Sequence, residues 1–193
     1  MENVKKKSSA LDGAIVGGKL LLICAIVAAI MALIYQLTLP KYEENLQETK
    51  NAAVSEIFGM EGLRCEEIYT DSESGAVVYG VYQDIFIGYC VESSAPGFGG
   101  DLSVMVGYLP EGSILGVSIV AMSETPGLGS KVGDTTYLEG YQGNRGELTL
   151  GQDVDAVSGA TISSKALLSA VNRATEAMQK AVTGIMTIGG EAQ

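Results

Sequence analysis

The chain has 193 residues, which suffices for one ordinary globular domain together with a membrane anchor. Its formal net charge is −11, so the basic surface that nucleic-acid binding requires is missing. Histidine is absent, which excludes Ser-His-Asp and Cys-His sites, and the three widely spaced cysteines offer no zinc or iron–sulfur ligand set. We therefore expect neither a metal site nor catalytic residues in this chain.

A long apolar segment near the N-terminus predicts one transmembrane helix over residues 14–39. As an α-helix, the 24 residues from Ala14 to Leu37 would be about 36 Å long, which is enough to cross a bilayer with some tilt. A cleaved signal peptide is the alternative, but the apolar stretch is longer than a usual signal core and lacks a small-x-small cleavage site. Three lysines at residues 5–7 predict a cytoplasmic N-terminus over residues 1–13 and an exported main domain.

The segment after the span is acidic and divides into a linker, a domain and a tail. Residues 40–62 show a weak helical pattern that closes at glycines and predicts a juxtamembrane linker helix. Residues 63–187 are expected to form one compact domain, and residues 188–193 a tail. Residues 41–193 carry 8 basic and 21 acidic side chains, a net charge of −13, so this part of the chain should be repelled by an anionic membrane surface.

Four short segments rich in β-branched and aromatic residues predict the strands of a mostly antiparallel sheet. These segments are Ala76–Tyr82, Ile85–Val91, Ser103–Leu109 and Ile114–Ala121. An apolar stripe at residues 167, 171, 174, 178 and 182 predicts an α-helix from about Ser163 to near Gly184. Strands followed by a packed terminal helix indicate an α+β fold.

The segment SGATISSK, at the start of the predicted terminal helix, combines small residues, hydroxyl groups and a cation. The residues with these properties are Ser158, Gly159, Ala160, Thr161, Ser163, Ser164 and Lys165. Small residues let a ligand approach the backbone, and a helix start supplies free N–H groups and a positive dipole end. A phosphate would fit here, with the Thr161 hydroxyl at the point where it would lie. The alternative is an ordinary turn into a helix that a Ser or Thr caps.

SGATISS resembles the flavinylation motif of the FMN-binding domain family, in which the threonine of the S-G-A-T run carries FMN through a phosphoester. Two further segments fit the same family, Gly97–Gly100 and Glu124–Gly129. The three motifs and the single span resemble the G subunit of the Rnf ion-translocating ferredoxin:NAD oxidoreductase. The related C subunit of the sodium-pumping NADH:quinone oxidoreductase shares these motifs but is typically longer. Relatives often show a histidine where this chain has Met122-Ser123.

The resemblance implies a single exported FMN-binding domain in the cell membrane, with FMN attached covalently to Thr161 by a flavin transferase. It implies an electron relay between membrane-embedded iron–sulfur and flavin subunits, with no catalysis by this chain alone. The first alternative is a non-redox assembly or scaffold subunit in which the SGAT turn is only a helix cap. Others are the equivalent subunit of a sodium-pumping NADH:quinone oxidoreductase and a stand-alone exported reductase.

The two other motifs suggest further contacts with the cofactor. Thr125-Pro126-Gly127 fits a type II turn that would hold Glu124 and Thr125 at the edge of the isoalloxazine ring and Leu128 against its face. The alternative is a structural turn with a solvated glutamate. Gly99 belongs to a loop that would let the chain pass close to another backbone or to the ribityl chain, or that is only a flexible hairpin loop.

Two residue pairs leave a choice open. Tyr137 and Tyr141 are either stacking partners of the ring or core packing. Cys65 and Cys90 either form a disulfide in an oxidising compartment or are two small buried apolar residues.

Overall fold

The structure, a computed structural model, describes residues 2–190, apart from the side chains at 2–12, 14, 43 and 185–190. The chain divides into two compact units at the boundary between Gln47 and Glu48. Part of the predicted tail over residues 188–193 lies outside the described residues.

The first unit is formed by a single helix, α1, which spans Glu2–Phe58 and so continues into the second unit. The helix includes one segment that is long and apolar enough to cross a membrane, and its apolar side chains from Ile15 to Leu37 are exposed rather than packed in a core. Pro40 lies inside α1, where it removes the backbone hydrogen bond to the carbonyl of Gln36 without ending the helix. The predicted boundaries of the span and of the linker helix stay predictions.

The second unit is built on a five-stranded antiparallel sheet in which every strand pairs with its neighbours along the chain, in the order β1-β2-β3-β4-β5. The strands are β1 Arg64–Thr70, β2 Val77–Tyr82, β3 Phe86–Pro96, β4 Asp101–Tyr108 and β5 Ile114–Ala121. A 3₁₀ turn at Gly129–Gly133 and a short helix, α2, at Thr135–Glu139 follow, and the long helix α3 covers Thr161–Gly190. The predicted α+β fold with an antiparallel sheet and a C-terminal helix is therefore confirmed.

Both faces of the sheet are covered, which explains the nearly continuous apolar sequence of its central strands. Helix α3 packs on one face through Leu167, Val171 and Ala174, which contact a cluster that includes Val104 and Val106 of β4. The last turns of α1 pack on the other face. Their residues Ala53, Val54 and Phe58 meet Val81, Cys90 and Met105 there. Helix α3, which carries the SGAT motif, is thus anchored on the sheet by about four turns of apolar contacts.

Strand β1 is an element that the sequence patterns do not predict. Its residues alternate little between buried and exposed, and it carries Arg64, Glu66 and Glu67. It forms one edge of the sheet, where charged side chains protect the free backbone groups from pairing with another chain.

The geometry of the sheet decides between the two readings of the cysteine pair. Cys65 lies on β1 opposite Val81, and Cys90 lies on β3 opposite Tyr79, so strand β2 separates them. Two strand spacings are about 10 Å, which exceeds the Cα separation of about 4.4–6.8 Å that a disulfide requires. Cys65 is exposed and Cys90 is buried, and both are free thiols. The second reading therefore holds for Cys90, while Cys65 is a surface residue.

Candidate functional site

The three motifs meet at one end of the sheet. Gly97–Gly100 form the tight loop between β3 and β4, which is closed by a 2.9 Å hydrogen bond from the Gly97 N–H to the Gly100 carbonyl. The chain that leaves β5 passes beside this loop, because Ala121 at the end of β5 pairs with Ser103 near the start of β4. A side chain at Gly99 would collide with the Ser123 carbonyl, so the two backbones are in close contact. The close backbone approach predicted for this glycine loop is present.

A cavity of about 260 Å³ opens where these segments meet. Its lining residues are Phe98, Glu124, Thr125, Leu128, Gly129, Gly159, Ala160, Thr161, Ile162 and Ser163. Pockets that enclose a drug-sized ligand usually measure roughly 300–1,000 Å³, so a large ligand would be held here on one side and stay exposed on the other. A larger cavity of about 460 Å³ lies along α3, but Lys165 is the one residue of the three motifs that lines it. The chemistry of the motifs therefore favours the smaller cavity.

Thr161 is the first residue of α3, two residues before the predicted helix start, and it is exposed in the wall of the cavity. Its hydroxyl makes no hydrogen bond within the part of the chain that the structure describes. The neighbouring hydroxyl groups are both engaged: Ser163 donates to Glu124 at 2.9 Å, and Ser164 donates to the Ala160 carbonyl at 3.1 Å. Among these three side chains, Thr161 alone offers a hydroxyl that is available for chemistry.

The predicted turn at Thr125-Pro126-Gly127 is present. The Leu128 N–H donates to the Thr125 carbonyl at 3.2 Å, as a four-residue turn requires. Gly127 has a φ of 74°, which is the left-handed conformation that the third residue of a type II turn adopts and that favours glycine. The turn directs Thr125 and Leu128 to the cavity, and both side chains line it while remaining exposed.

Glu124 is a buried residue of the cavity wall, and its carboxylate joins the three motifs. It is 8% exposed, and its two carboxylate oxygens accept hydrogen bonds from different segments. Oε1 accepts from the backbone N–H of Phe98 at 2.8 Å, and Oε2 accepts from the Ser163 hydroxyl at 2.9 Å. Glu124 is therefore not a solvated side chain on a structural turn, which was the alternative reading of this motif.

Comparison with known proteins assigns this region to a family. Residues 97–176, which include all three motifs, match the profile of the FMN-binding domain. The matched region, which is less than half of the chain, is similar to this family. The expectation that the sequence motifs raised is confirmed at this level.

The chain also resembles curated proteins that are subunits of ion-translocating complexes. The chain is 33% identical over 97 residues to the G subunit of the proton-translocating ferredoxin:NAD(+) oxidoreductase complex of Clostridium ljungdahlii, an alignment that covers 47% of this chain and 52% of the relative. It is 29% identical over 124 residues to the G subunit of the Na(+)-translocating ferredoxin:NAD(+) oxidoreductase complex of Acetobacterium woodii, covering 58% and 55%. The chain thus spans about half the length of the curated relatives it matches.

A solved structure shares the fold of the second unit. The crystal structure of Shewanella oneidensis NqrC superposes with a TM-score of 0.51, covering 63% of this chain and 70% of that chain at 22% sequence identity. At this identity the likeness concerns the fold alone.

The cavity includes most of the residues that the sequence singles out. It brings together Glu124, Thr125, Leu128, Gly159, Ala160, Thr161 and Ser163. Four others lie outside it: Ser158, Ser164, Lys165 and Gly99. The Ser164 side chain is fully buried and also accepts a 3.0 Å hydrogen bond from the Val157 N–H, so its hydroxyl braces the turn before α3 and faces no ligand.

Lys165 is exposed and lies one helical turn after Thr161. Residues four apart share a helix face, and side chains lean toward the helix N-terminus, so the ammonium group is within reach of a group attached to Thr161. Its role as a cation for the phosphate stays a prediction.

Sequence reasoning missed three residues that line the cavity: Phe98, Gly129 and Ile162. Phe98 and Ile162 are large apolar side chains that are 68% and 56% exposed. The sequence did carry a signal for Phe98, which is a large apolar residue between glycines in a predicted loop. Such a residue cannot be buried in the core, so its exposure indicates another role.

Tyr137 and Tyr141 do not line the cavity. Tyr141 is fully buried in the main core, where the two rings pack edge to face with centroids 6.0 Å apart. The Tyr137 hydroxyl donates to the Asp155 carbonyl at 2.9 Å. The core-packing alternative is the one that the structure supports for this pair.

Proposed function

We propose that this chain is an electron-transfer subunit of a membrane-bound, Rnf-type ion-translocating oxidoreductase and that it holds FMN through a phosphoester to the Thr161 hydroxyl. In this reaction Thr161 Oγ1 attacks the flavin-side phosphorus of a flavin dinucleotide. The new Oγ1–P bond forms as the pyrophosphate P–O bond breaks, FMN stays on Thr161, and a nucleoside monophosphate leaves together with the hydroxyl proton. A flavin transferase would carry out the attachment. Other subunits of the complex, including membrane-embedded iron–sulfur and flavin subunits, would exchange electrons with the bound cofactor.

The observation that carries the proposal is the position of the Thr161 hydroxyl. It stands at the start of a 30-residue helix, in a cavity wall, without a hydrogen-bond partner among the described residues. The first N–H groups of a helix have no intrahelical acceptor, and the helix dipole favours an anion there. A phosphate on Thr161 would therefore lie where backbone donors and the Lys165 side chain can bind it.

The rest of the cavity fits the flavin ring rather than a small anion. Exposed Phe98, Leu128 and Ile162 supply an apolar surface next to Thr161. When bound, FMN supplies a ring that accepts and donates one or two electrons. Because the cavity is open and smaller than an enclosing pocket, it would leave one side of the ring accessible to a redox partner.

The membrane assignment rests on α1 and on the relatives. The exposed apolar segment of α1 supports a single membrane span, and the curated relatives are the G subunits of ion-translocating complexes. Three lysines precede the span, whereas Lys41 and Lys50 are the basic residues among the twenty that follow Pro40, and this bias favours an exported FMN-binding domain.

Site mapping tests the covalent link. The full-length chain is produced together with a flavin transferase, and its tryptic peptides are analysed by mass spectrometry. The peptide that contains Thr161 should gain the mass of FMN less one water. Thr161→Ala should abolish this gain while the chain remains folded and in the membrane.

Thr125→Ala is the matched control, because Thr125 is the other exposed threonine in the cavity wall. It should retain the flavin. In the assembled complex, Thr161→Ala should stop ferredoxin-linked NAD reduction. Covalent flavin on the Thr161→Ala chain would refute the attachment site, and normal turnover without flavin would favour a scaffold role.

A further inference from the structure

The backbone of Phe98 is fixed while its side chain is left in solvent. Its N–H donates to Glu124 Oε1 at 2.8 Å, and this carboxylate is held from the other side by Ser163 of α3. The phenyl ring itself is 68% exposed and faces the cavity. A loop that served only to connect β3 and β4 would need neither a buried carboxylate nor an exposed aromatic ring.

The packing around the Glu124 carboxylate restricts the position of its two oxygens. A side chain at Gly97 would overlap Oε1, and one at Gly129 would come within 2.6 Å of Oε2. Glycine at both positions therefore leaves the space that the two carboxylate oxygens occupy. This closed packing makes the position of the Phe98 backbone depend on Glu124.

Phe98, Leu128 and Ile162 come from three different segments and converge on the cavity that contains the Thr161 hydroxyl. All three are large apolar side chains that are between 47% and 68% exposed. The cavity that they share is the one proposed to hold FMN, whose isoalloxazine ring is flat and aromatic. Aromatic rings pack against each other at centroid separations of roughly 4.5–7 Å.

We propose that Glu124 is a positioning residue that holds the Phe98 ring against the isoalloxazine ring of the flavin on Thr161. This inference rests on the proposed function. It assigns Glu124 a different task from a contact at the ring edge, because both of its carboxylate oxygens are already engaged by the protein. Phe98 becomes the aromatic contact of the cofactor, a role that Tyr137 and Tyr141 cannot fill from the core.

Flavin fluorescence in a Phe98→Tyr variant tests the contact directly. A phenol is easier to oxidise than a benzene ring, and on contact it donates an electron to the excited flavin and quenches its emission. The Phe98→Tyr chain should therefore show a severalfold lower emission than the unchanged chain, at equal FMN content mapped to Thr161. Ile85→Tyr is the matched control, because Ile85 is 74% exposed at the opposite end of the sheet, and its emission should not change.

A second change in the Phe98→Tyr chain tests the role of Glu124. Glu124→Gln can keep both contacts, since a glutamine oxygen accepts from the Phe98 N–H and its amide donates to the Ser163 hydroxyl, so quenching should persist. Glu124→Ala should release the loop and restore most of the emission. Ser163→Ala removes one hydrogen bond to the carboxylate and should restore part of the flavin emission. It provides a milder variant if Glu124→Ala fails to fold.

The outcomes separate the inference from the function on which it rests. Unchanged emission in Phe98→Tyr, with FMN mapped to Thr161, would overturn the inference and leave the proposed function standing. Quenching that survives in both Glu124→Ala and Ser163→Ala would overturn the positioning role of Glu124. A chain without FMN on Thr161 would overturn the proposed function and the inference together.

Discussion

The buried hydrogen bond between Tyr108 of β4 and Thr175 of α3 ties the helix that begins at Thr161 to the sheet. The two oxygens are 2.9 Å apart, and Tyr108 and Thr175 are 0% and 2% exposed. The Thr175 hydroxyl also donates to the Val171 carbonyl at 3.0 Å, so Tyr108 must donate to Thr175. Burial raises the pKa of the Tyr108 phenol, which therefore keeps its proton at any ordinary pH.

Removing the two partners is expected to have unequal effects. Tyr108→Phe leaves Thr175 donating to Val171, so the free energy of unfolding should fall by about 0.5–1.5 kcal/mol. Thr175→Val keeps the side-chain shape but leaves the Tyr108 hydroxyl buried without an acceptor, and the fall should be about 1–3 kcal/mol. The double variant has no unsatisfied group and should be more stable than Thr175→Val alone.

Thermal unfolding of the detergent-solubilised chain, followed by near-UV circular dichroism, measures these differences. A change of 1 kcal/mol should shift Tm by roughly 2–4 °C in a chain of this size. Covalent FMN should be retained in all three variants, because neither residue lines the cavity. A Tm for Tyr108→Phe that is as low as that of Thr175→Val, or lower, would refute the assigned direction of the hydrogen bond.

Three further predictions concern stability, the site and topology. The Ser74 hydroxyl lowers the pKa of Asp71 to about 2, below the usual value of about 3.9. In urea titrations, the unchanged chain should therefore have a higher free energy of unfolding than Asp71→Asn above pH ~4, and this difference should vanish as the pH falls to about 2. An advantage that grew on acidification would contradict this. Gly99→Ala should distort the loop against the Ser123 carbonyl and reduce FMN incorporation, measured by in-gel flavin fluorescence, and full incorporation would argue against the close contact. Protease added outside intact cells stripped of any outer barrier should digest the chain after Pro40, and protection of the SGAT segment would mean the reverse orientation.

Local sequence patterns were sufficient for most elements of the fold. The stripe through Leu167 and Val171 predicts α3 because a helix buries one face, and the β-branched runs predict β2 to β5 because both faces of these strands are buried. The turn before Leu128 follows from its Pro-Gly pair. The threonine in the cavity follows from its motif, since small residues before a helix start suit a phosphate.

Only the tertiary structure decided which of the motif's polar groups face the cavity. Thr161, Ser163 and Ser164 look equivalent in the sequence, but the helix sets the direction in which each side chain points. The Ser163 hydroxyl donates a hydrogen bond to Glu124, and the Ser164 hydroxyl donates one to the Ala160 carbonyl. Hydrogen bonds between segments far apart in the chain leave no local pattern. The contact between Glu124 and the Phe98 N–H joins positions 26 residues apart, and it exists only because the antiparallel sheet brings both segments to the same end.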